Sequence, residues 1–210
     1  MPEAAQVRIV GTVVSTYTRI VEITCEEAGL THEIIPTPAN SPQNRHPFGK
    51  VPVVEVDGLE LIESGAIAHY LDSTHNAAAL QPREPASRAT ADTWIAIGNN
   101  YLFLLFERGL VMPYVMHRHG GFPLDVQSIN RALPDIGRAL GFLEAELQRD
   151  GAWTACGFTL ADVFLYPIIR SLQMTPQGAA GIAQCDALAA WLTLCEKRPS
   201  IRASRWESEK

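Results

Sequence analysis

Short apolar runs alternate with helical patterns in the first third of the chain. The run Val7–Val10 is β-branched and stops at Gly11, which predicts a buried strand. From about Thr16 to Gly29 the apolar positions recur at helical spacing, and the glycine supplies a C-terminal stop. The run THEII then predicts a second strand. A strand, a helix and a strand in this order predict a parallel pair.

Prolines interrupt the next segment and show where regular structure resumes. Four prolines between residues 36 and 47 exclude a regular helix, so this segment is expected to be a loop. The following VPVVEVDGLELIE predicts two short strands joined through Asp57-Gly58, a strong hairpin signal. SGAIAHYLDSTH begins with Ser64 as an N-cap and predicts a helix.

Beyond about residue 76 the patterns are almost entirely helical. NAAALQPREPAS is typical of a linker, and the clearest helix is predicted from about Asp125 to Arg149. Thr159 and Asp162, three residues apart, predict a capping box at the start of a later helix. We therefore predict an α/β domain (βαβ-ββα) at 1–76, a linker at 77–86 and an all-α helical bundle at 87–210.

Charge and composition narrow the function classes. The net charge of −6 and the pI near 5.5 argue against a nucleic-acid surface. The sequence has no run of about 18 apolar residues and no secretory pattern at its start, so the expected location is cytoplasmic. The four cysteines are scattered, form no CxxC and match no zinc site, so no metal is expected.

Two dipeptides in the first domain suggest a ligand. Val51-Pro52 directly precedes a strand, where a cis bond would present the backbone of Val51 to an extended ligand and a trans proline would merely start the strand. Glu63-Ser64 opens a helix, where amide groups, a hydroxyl and a carboxylate fit an α-amino-acid head. The alternative for the second dipeptide is a plain N-cap with a favourable helix dipole.

The stretch STYTR, residues 15–19, lies where the first strand passes into the first helix. The carboxyl end of a central strand is where open α/β sheets place their ligands. A hydroxyl there, together with a helix N-terminus, would favour a bound thiolate, since free thiols have a pKa of about 8.5. The residues alone leave open which hydroxyl of this stretch has that role, although Thr16 and Thr18 are expected to bond backbone groups of the first helical turn.

At this point the sequence resembles the soluble glutathione transferases. The resemblance rests on NRHPFGKVPVVEVDGLELIESGAIAHYL, on GFTLADVFLYPII and on the late RPSI, in the family's order. It implies a thioredoxin-like N-terminal domain, a helical C-terminal domain and a homodimer. GTVVSTYTRIV resembles the start of phi-class members, which aligns the family's catalytic serine with Ser15 and leaves Tyr17 as the rival.

The resemblance also implies a glutathione site. The γ-glutamyl head would rest on Glu63 and Ser64, and the cysteinyl backbone on Val51 beside cis Pro52. The loop at 36–47 is shorter than the usual family segment, so the glycine carboxylate would fall to Lys50, Arg45 or His46. An apolar pocket for the electrophile is expected from the following residues: Val13, Val14, Phe103, Phe106 and Tyr114.

Three functions are compatible with this sequence. The first is a detoxification-type transferase that conjugates the thiolate of glutathione, its co-substrate, to hydrophobic electrophiles. The second is a glutathione-dependent lyase, dehalogenase or isomerase of one metabolite. The third is a non-catalytic domain of the same fold that binds apolar ligands or a partner. Retention of Glu63, Ser64 and Val51-Pro52 favours the two enzymes.

Overall fold

The computed structural model describes residues 7–150 and 152–209 of the chain. It divides into two compact units, of which the first comprises Met1–Glu84 together with Glu196–Lys210 and the second Pro85–Cys195. The sequence predicts a helical domain over residues 87–210. In the structure the segment after residue 195 instead packs with the first unit. The physical reason is a set of contacts between this segment and the first helix, described below.

The secondary structure follows the predicted order of strands and helices. The strands are β1 (Val7–Gly11), β2 (His32–Pro36), β3 (Val53–Val56) and β4 (Leu59–Ile62). The helices are α1 (Thr16–Glu27), α2 (Ser64–His75), α3 (Pro85–Ile97), α4 (Phe103–Phe106), α5 (Met112–Gly120), α6 (Val126–Asp150), α7 (Leu160–Gln173), α8 (Pro176–Ile182), α9 (Asp186–Glu196) and α10 (Pro199–Ala203).

The first unit is built on a four-stranded mixed sheet with the order β2-β1-β3-β4. β1 runs parallel to β2 and antiparallel to β3, and β3 and β4 form a hairpin. Alternate residues of the strands point to one side, where α1 and α2 cover them. This core contains Val7, Ile9, Val21, Cys25, Leu30, Val54, Val56, Ile67 and Leu71. The predicted parallel pair and hairpin are confirmed.

The other side of the sheet carries a row of charges. Glu33, Arg8, Glu55 and Glu60 are partners across the four strands, in that order. Arg8 pairs with Glu33 at 3.0 Å and with Glu55 at 2.6 Å, and Arg45 bridges Glu55 and Glu60. Residues 37–52 form turns and contain no helix, which agrees with the predicted loop.

Gly29 ends α1 as the sequence predicted. It has a φ of +65°, which an L side chain rarely adopts. The Gly29 N–H donates to the Glu26 carbonyl at 3.2 Å, and the Leu30 N–H donates to the Cys25 carbonyl at 2.9 Å. This pair of bonds is a Schellman motif, and it directs the chain into β2.

The second unit is helical, and its longest helix is the predicted one. In α6 the side chains of Ile129, Ile136, Leu140 and Leu143 are buried, so one side of this helix faces the core of the unit. The predicted capping box is present in α7, where the Asp162 carboxylate accepts from the Thr159 N–H at 2.8 Å. Asp162 also accepts from the Trp191 indole at 2.8 Å, so the box is tied to α9.

Two segments depart from regular α-helix. Residues Gly98–Leu102 and Glu107–Val111 are π-helical and flank the short α4. Among the described residues no single helix is long and apolar enough to cross a bilayer. Together α8 and α9 pass that test by length and composition, but they meet at 107°, and Leu188 and Leu192 of α9 are buried in the unit.

Gly11 is required where β1 meets α1 and the loop before β3. A Cβ at this position would lie 2.6 Å from Thr18 Oγ1 and 3.6 Å from Pro52 Cβ. We expect Gly11→Ala to lower the free energy of unfolding by about 1–3 kcal/mol because the interior cannot widen without strain. Urea unfolding measures the change.

Two matched variants test the cause. In the Thr18→Ala background, which removes the crowding hydroxyl, the cost of Gly11→Ala should shrink. Gly137→Ala, in α6 with nothing within 4 Å of the added Cβ, should raise stability slightly because alanine favours a helix. An equal cost of Gly11→Ala in both backgrounds would exclude the Thr18 clash.

A half-buried carboxyl on α1 makes stability depend on pH. Burial raises the pKa of Glu22 to about 7 from an ordinary value of 4.5; the Glu26 charge adds to the rise, and the Arg19 cation opposes it. The folded state therefore holds this proton where the unfolded chain has lost it, and stability falls as pH rises between these values. We expect Glu22→Gln to remove this fall, measured by urea unfolding at about pH 5 and about pH 8. A variant with the wild-type pH slope would contradict the assignment.

Candidate functional site

The register of the sheet brings four chain segments to one edge. Gly11 at the end of β1 pairs with Pro36 at the end of β2, and Val10 pairs with Val53 at the start of β3. Val53 in turn pairs with Ile62 at the end of β4. The residues just beyond these ends therefore lie along the same edge: 12–15, 37, 51–52 and 63–64.

Ser15 is the N-cap of α1. Its backbone is extended, with φ −77° and ψ 127°, and its Oγ accepts from the Thr18 N–H at 3.3 Å. A hydroxyl that accepts from an amide keeps its own proton to donate to another group. The side chain is partly exposed, so Ser15 offers a hydrogen-bond donor beside the amides of a helix N-terminus.

The other hydroxyls of the stretch differ from Ser15. Thr16 and Thr18 are buried at 6% and 0% exposure. The expected bond from the Thr18 hydroxyl to the backbone is absent, since Thr18 Oγ1 has no partner among the described residues. The reason is that the side chain faces Gly11 instead of the helical turn. Tyr17 is half-buried and lies inside the first turn of α1.

Val51-Pro52 is a cis peptide bond, which resolves the alternative left open by the sequence. Pro52 is buried, Val51 is half-buried, and the paired register of β3 begins at Val53. The backbone of Val51 therefore lies just outside the ladder, at the sheet edge shared with Ser15. An extended ligand can add hydrogen bonds there in the manner of a short strand.

Glu63 occupies the N-cap position of α2, and Ser64 is the first helical residue. This corrects the prediction of Ser64 as the cap. Glu63 has a φ of +66° and a ψ of 108°, and no side chain caps the helix. Non-glycine residues in such conformations cost about 1–3 kcal/mol and cluster at functional sites. The exposed carboxylate and the uncapped amides of α2 favour the ligand-binding interpretation over a plain cap.

Of the three candidate cations for a distant carboxylate, two are engaged elsewhere. Arg45 is bound to Glu55 and Glu60 on the charged face of the sheet. His46 is 6% exposed, and its Nδ1 accepts from the Phe48 N–H at 3.1 Å, so it braces the turn before Val51. Lys50 is exposed and its Nζ pairs with no carboxylate of the described residues. The structure therefore favours Lys50 and argues against Arg45 and His46.

One contact at the site was missed by sequence reasoning. His46 Nε2 lies 3.6 Å from Glu63 Oε1, so the turn at 44–50 reaches the start of α2. The same turn is held by Asn44, whose amide donates to the Lys50 carbonyl at 2.8 Å and whose Oδ1 accepts from the His46 N–H at 3.0 Å. No motif in the sequence relates residue 46 to residue 63, so this contact could not be predicted.

The predicted pocket residues differ in accessibility. Val13 and Val14 are 51% and 71% exposed in the loop after β1. In the second unit Phe103 is half-buried, and the half-buried Tyr114 donates its hydroxyl to Gln177 at 2.8 Å. Phe106 is 0% exposed, so it belongs to the core of that unit and offers no surface to a ligand. Its spacing from Phe103 on a helix does not reveal this difference.

The described residues contain no group of three or more metal-binding side chains that could hold an ion. An open groove of about 440 Å³ lies instead beside the β3–β4 turn, lined by Arg8, Arg45, Glu55, Val56, Asp57, Gly58, Leu59 and Glu60. β3 starts and β4 ends at the edge near Ser15, and Asp57-Gly58 joins their other ends. The groove therefore lies at the opposite end of the sheet from Ser15.

Family models match this chain in two separate regions. Residues 9–82 match the model of the glutathione S-transferase N-terminal domain, and residues 126–194 match that of the C-terminal domain. Glutathione S-transferase 1 of Zea mays is 27% identical over 205 residues, which cover 94% of this chain and 95% of that protein. Glutathione S-transferase F11 of Arabidopsis thaliana is 28% identical over 158 residues, 74% of this chain and 73% of that protein.

The fold is also that of solved members. Glutathione S-transferase I from mais, in complex with an atrazine glutathione conjugate, superposes with a TM-score of 0.84 at 24% identity, over 94% of this chain and 95% of that one. The chain belongs to the glutathione S-transferase family. It is a transferase with glutathione as co-substrate, and the predicted family, fold class and resemblance to phi-class members are confirmed.

Backbone strain at Glu63 can be separated from ligand binding. We expect Glu63→Gly to raise the free energy of unfolding relative to Glu63→Ala by about 1 kcal/mol, because only glycine adopts a φ of +66° without cost. Both variants should lose affinity for glutathione because both lack the carboxylate. Urea unfolding and calorimetric titration with glutathione measure the two effects. Wild-type affinity in either variant would remove Glu63 from the site.

Proposed function

We propose that this protein conjugates the thiolate of glutathione to hydrophobic electrophiles, with Ser15 as the residue that stabilises the thiolate. The observation that carries the proposal is the convergence of Ser15, the backbone of Val51 beside cis Pro52, and the start of α2 along one edge of the sheet. A hydroxyl donor, a strand-like rung and an amino-acid site in a row match the thiol, the cysteinyl backbone and the γ-glutamyl head of glutathione.

Binding would use the full length of this edge. The Glu63 carboxylate takes the ammonium group of the γ-glutamyl head, and the Ser64 hydroxyl with the first amides of α2 takes its carboxylate. The cysteinyl backbone pairs with Val51, and Lys50 takes the glycine carboxylate. These contacts hold the thiol next to Ser15 and convert an encounter of two molecules into a positioned reaction.

The chemical step requires the thiolate. The Ser15 hydroxyl donates a hydrogen bond to the sulfur, and the N-terminus of α1 adds a positive potential, so the anion is favoured at neutral pH. The sulfur attacks an electrophilic carbon, forming the S–C bond as the leaving group departs or as a double bond accepts the electron pair. Stabilising the anion without proton transfer at Ser15 is sufficient for this role.

The electrophile pocket is proposed to use Val13 and Val14, whose side chains are exposed beside Ser15. In the second unit the half-buried Phe103 and Tyr114 are proposed as substrate contacts, and Phe106, which is 0% exposed, is left out of the proposal. The apolar character of these residues favours hydrophobic substrates. The mais transferase of the same fold is seen with an atrazine glutathione conjugate, which is a product of the type of reaction proposed here.

We also propose a homodimer in the cytoplasm. Phe48 and Tyr101 are 75% and 69% exposed in the single chain, and aromatic side chains of this kind are enriched in the buried centre of interfaces. Dimerisation is typical of the family. Sedimentation of the purified protein measures the assembly, and a monomer at micromolar concentration would contradict the dimer.

Loss of the Ser15 hydroxyl tests the mechanism. We expect Ser15→Ala to lower kcat for a general aromatic electrophile roughly ten- to hundredfold, the equivalent of a charged hydrogen bond of about 1.5–3 kcal/mol. The Kd of glutathione should change little because its other contacts remain. Steady-state kinetics and titration calorimetry measure both quantities.

Tyr17→Phe is the matched control. It removes a neighbouring hydroxyl while keeping the ring, and it should leave kcat within about twofold. The opposite result, with Ser15→Ala unchanged and Tyr17→Phe impaired, would transfer the role to Tyr17.

A further inference from the structure

A buried arginine lies in the helix that Ser15 caps. Arg19 is 0% exposed, although arginine is almost never fully buried without a partner. Its partner is Glu209, whose side chain is 1% exposed. Arg19 Nη1 donates to Glu209 Oε1 at 2.5 Å, and Nη2 donates to Oε2 at 3.5 Å. A buried ion pair therefore joins α1 to the segment that follows residue 195.

Trp206 completes the surroundings of this cation. The Arg19 guanidinium lies 4.5 Å from the centre of the Trp206 ring, within the range of a cation–π interaction. Trp206 is itself buried, and its carbonyl accepts from the Glu209 N–H at 2.9 Å, so a single turn carries both groups. We call residues 204–209 the terminal turn.

The residue that carries this cation is bonded through its backbone to the candidate catalytic residue. The Arg19 N–H donates to the Ser15 carbonyl at 3.0 Å, which is the first α-helical hydrogen bond of α1. Residues four apart also lie on the same side of a helix. A displacement of Arg19 toward water would therefore pull on the turn that fixes the Ser15 backbone and directs its hydroxyl.

A second ion pair anchors the other end of the same helix. Glu27, the last residue of α1, accepts from Arg198 Nε at 2.9 Å and from Arg198 Nη2 at 2.6 Å, and the Ser200 hydroxyl also donates to it. Twelve residues separate Glu27 from Ser15, which is about 18 Å along a helix. This pair joins the same two parts of the unit, but it is remote from the proposed chemistry.

We propose that Glu209 and Trp206 are positioning residues for catalysis, which act through Arg19 to hold the first turn of α1 and the hydroxyl of Ser15. The inference rests on the proposed role of Ser15. The terminal turn neutralises the Arg19 guanidinium and shields it from water. The geometry of the thiolate site depends on that neutralisation. Glu209 is bonded to Arg19 and to the Trp206 carbonyl, so its proposed effect on the thiolate passes through Arg19.

Glu209→Gln removes the charge with little change in shape. We expect kcat to fall about tenfold, and the pKa of enzyme-bound glutathione, followed by the ultraviolet absorbance of the thiolate, to rise. The KM of glutathione should stay near the wild-type value because Glu63, Ser64 and Val51 are untouched. Glu209→Asp, which keeps the charge, should recover part of kcat. Trp206→Phe, which keeps an aromatic ring, should have the smaller effect.

Glu27→Gln is the control for stability alone. It removes the carboxylate of the remote ion pair, so it should lower the unfolding midpoint while leaving kcat and the bound thiol pKa unchanged. If Glu209→Gln lowers only the unfolding midpoint, as this control does, Glu209 has a structural role and the inference is wrong. The measurements are made on the folded variants, well below their unfolding temperatures.

The double variant Ser15→Ala/Glu209→Gln separates the two proposals. If Glu209 acts through Ser15, its substitution should have no further effect on kcat or on the bound thiol pKa when Ser15 is already alanine. A further fall of about tenfold in that background would overturn the inference, because Glu209 would act by another route. If Ser15→Ala alone leaves kcat and the thiol pKa unchanged, the proposed role of Ser15 fails instead.

Discussion

β1 pairs with the parallel strand β2 on one side and with the antiparallel strand β3 on the other. The position of every site residue depends on these two pairings. The parallel pair with β2 needs α1 as its crossover, so α1 must begin at the carboxyl end of β1. The antiparallel pair with β3 brings the start of that strand to the same end. The β3–β4 hairpin then returns the chain to this edge at Glu63. One pairing pattern thus places a helix start, a backbone rung and a second helix start side by side.

The edge is occupied by atoms whose hydrogen-bonding capacity is not used by the fold. α2 starts without a side-chain cap, β3 starts after an unpaired Val51, and Ser15 accepts one bond while its proton is available to a ligand. Unsatisfied backbone groups are costly when buried, so they remain only where solvent or a ligand completes them. The positive φ of Glu63 is a further local cost of the same edge.

Much of this arrangement could be predicted from the sequence because the signals were local. Asp57-Gly58 indicated the hairpin, Gly29 the end of α1, and Thr159 with Asp162 the capping box. The cis state of Val51-Pro52 was one of two alternatives, since the dipeptide alone does not decide it. Ser64 and Glu63 were placed within one residue of their actual positions in α2, which is the usual precision at helix ends.

The contacts that could not be predicted join residues far apart in the chain. Arg19 alone in the sequence is typical of a surface residue, and its burial is explained by Trp206 and by Glu209, which lies 190 residues later. Arg45 was a reasonable ligand for a carboxylate until Glu55 and Glu60 were found to bind it. Phe106 could not be distinguished from Phe103 because burial within a helical unit depends on its neighbours, and the sequence does not name them.

The charged side of the sheet limits where the segment between β2 and β3 can vary in length. A sheet side without a covering helix must be compatible with water, and here Glu33, Arg8, Glu55, Arg45 and Glu60 satisfy one another there. That side is not wholly polar, because Val10 and Val53, which share it with Arg8 and Glu55, are only 8% and 0% exposed. The exposed Pro42 and Gln43, away from these buried residues, are therefore a place where evolution or an engineer can lengthen the chain without unpacking the unit.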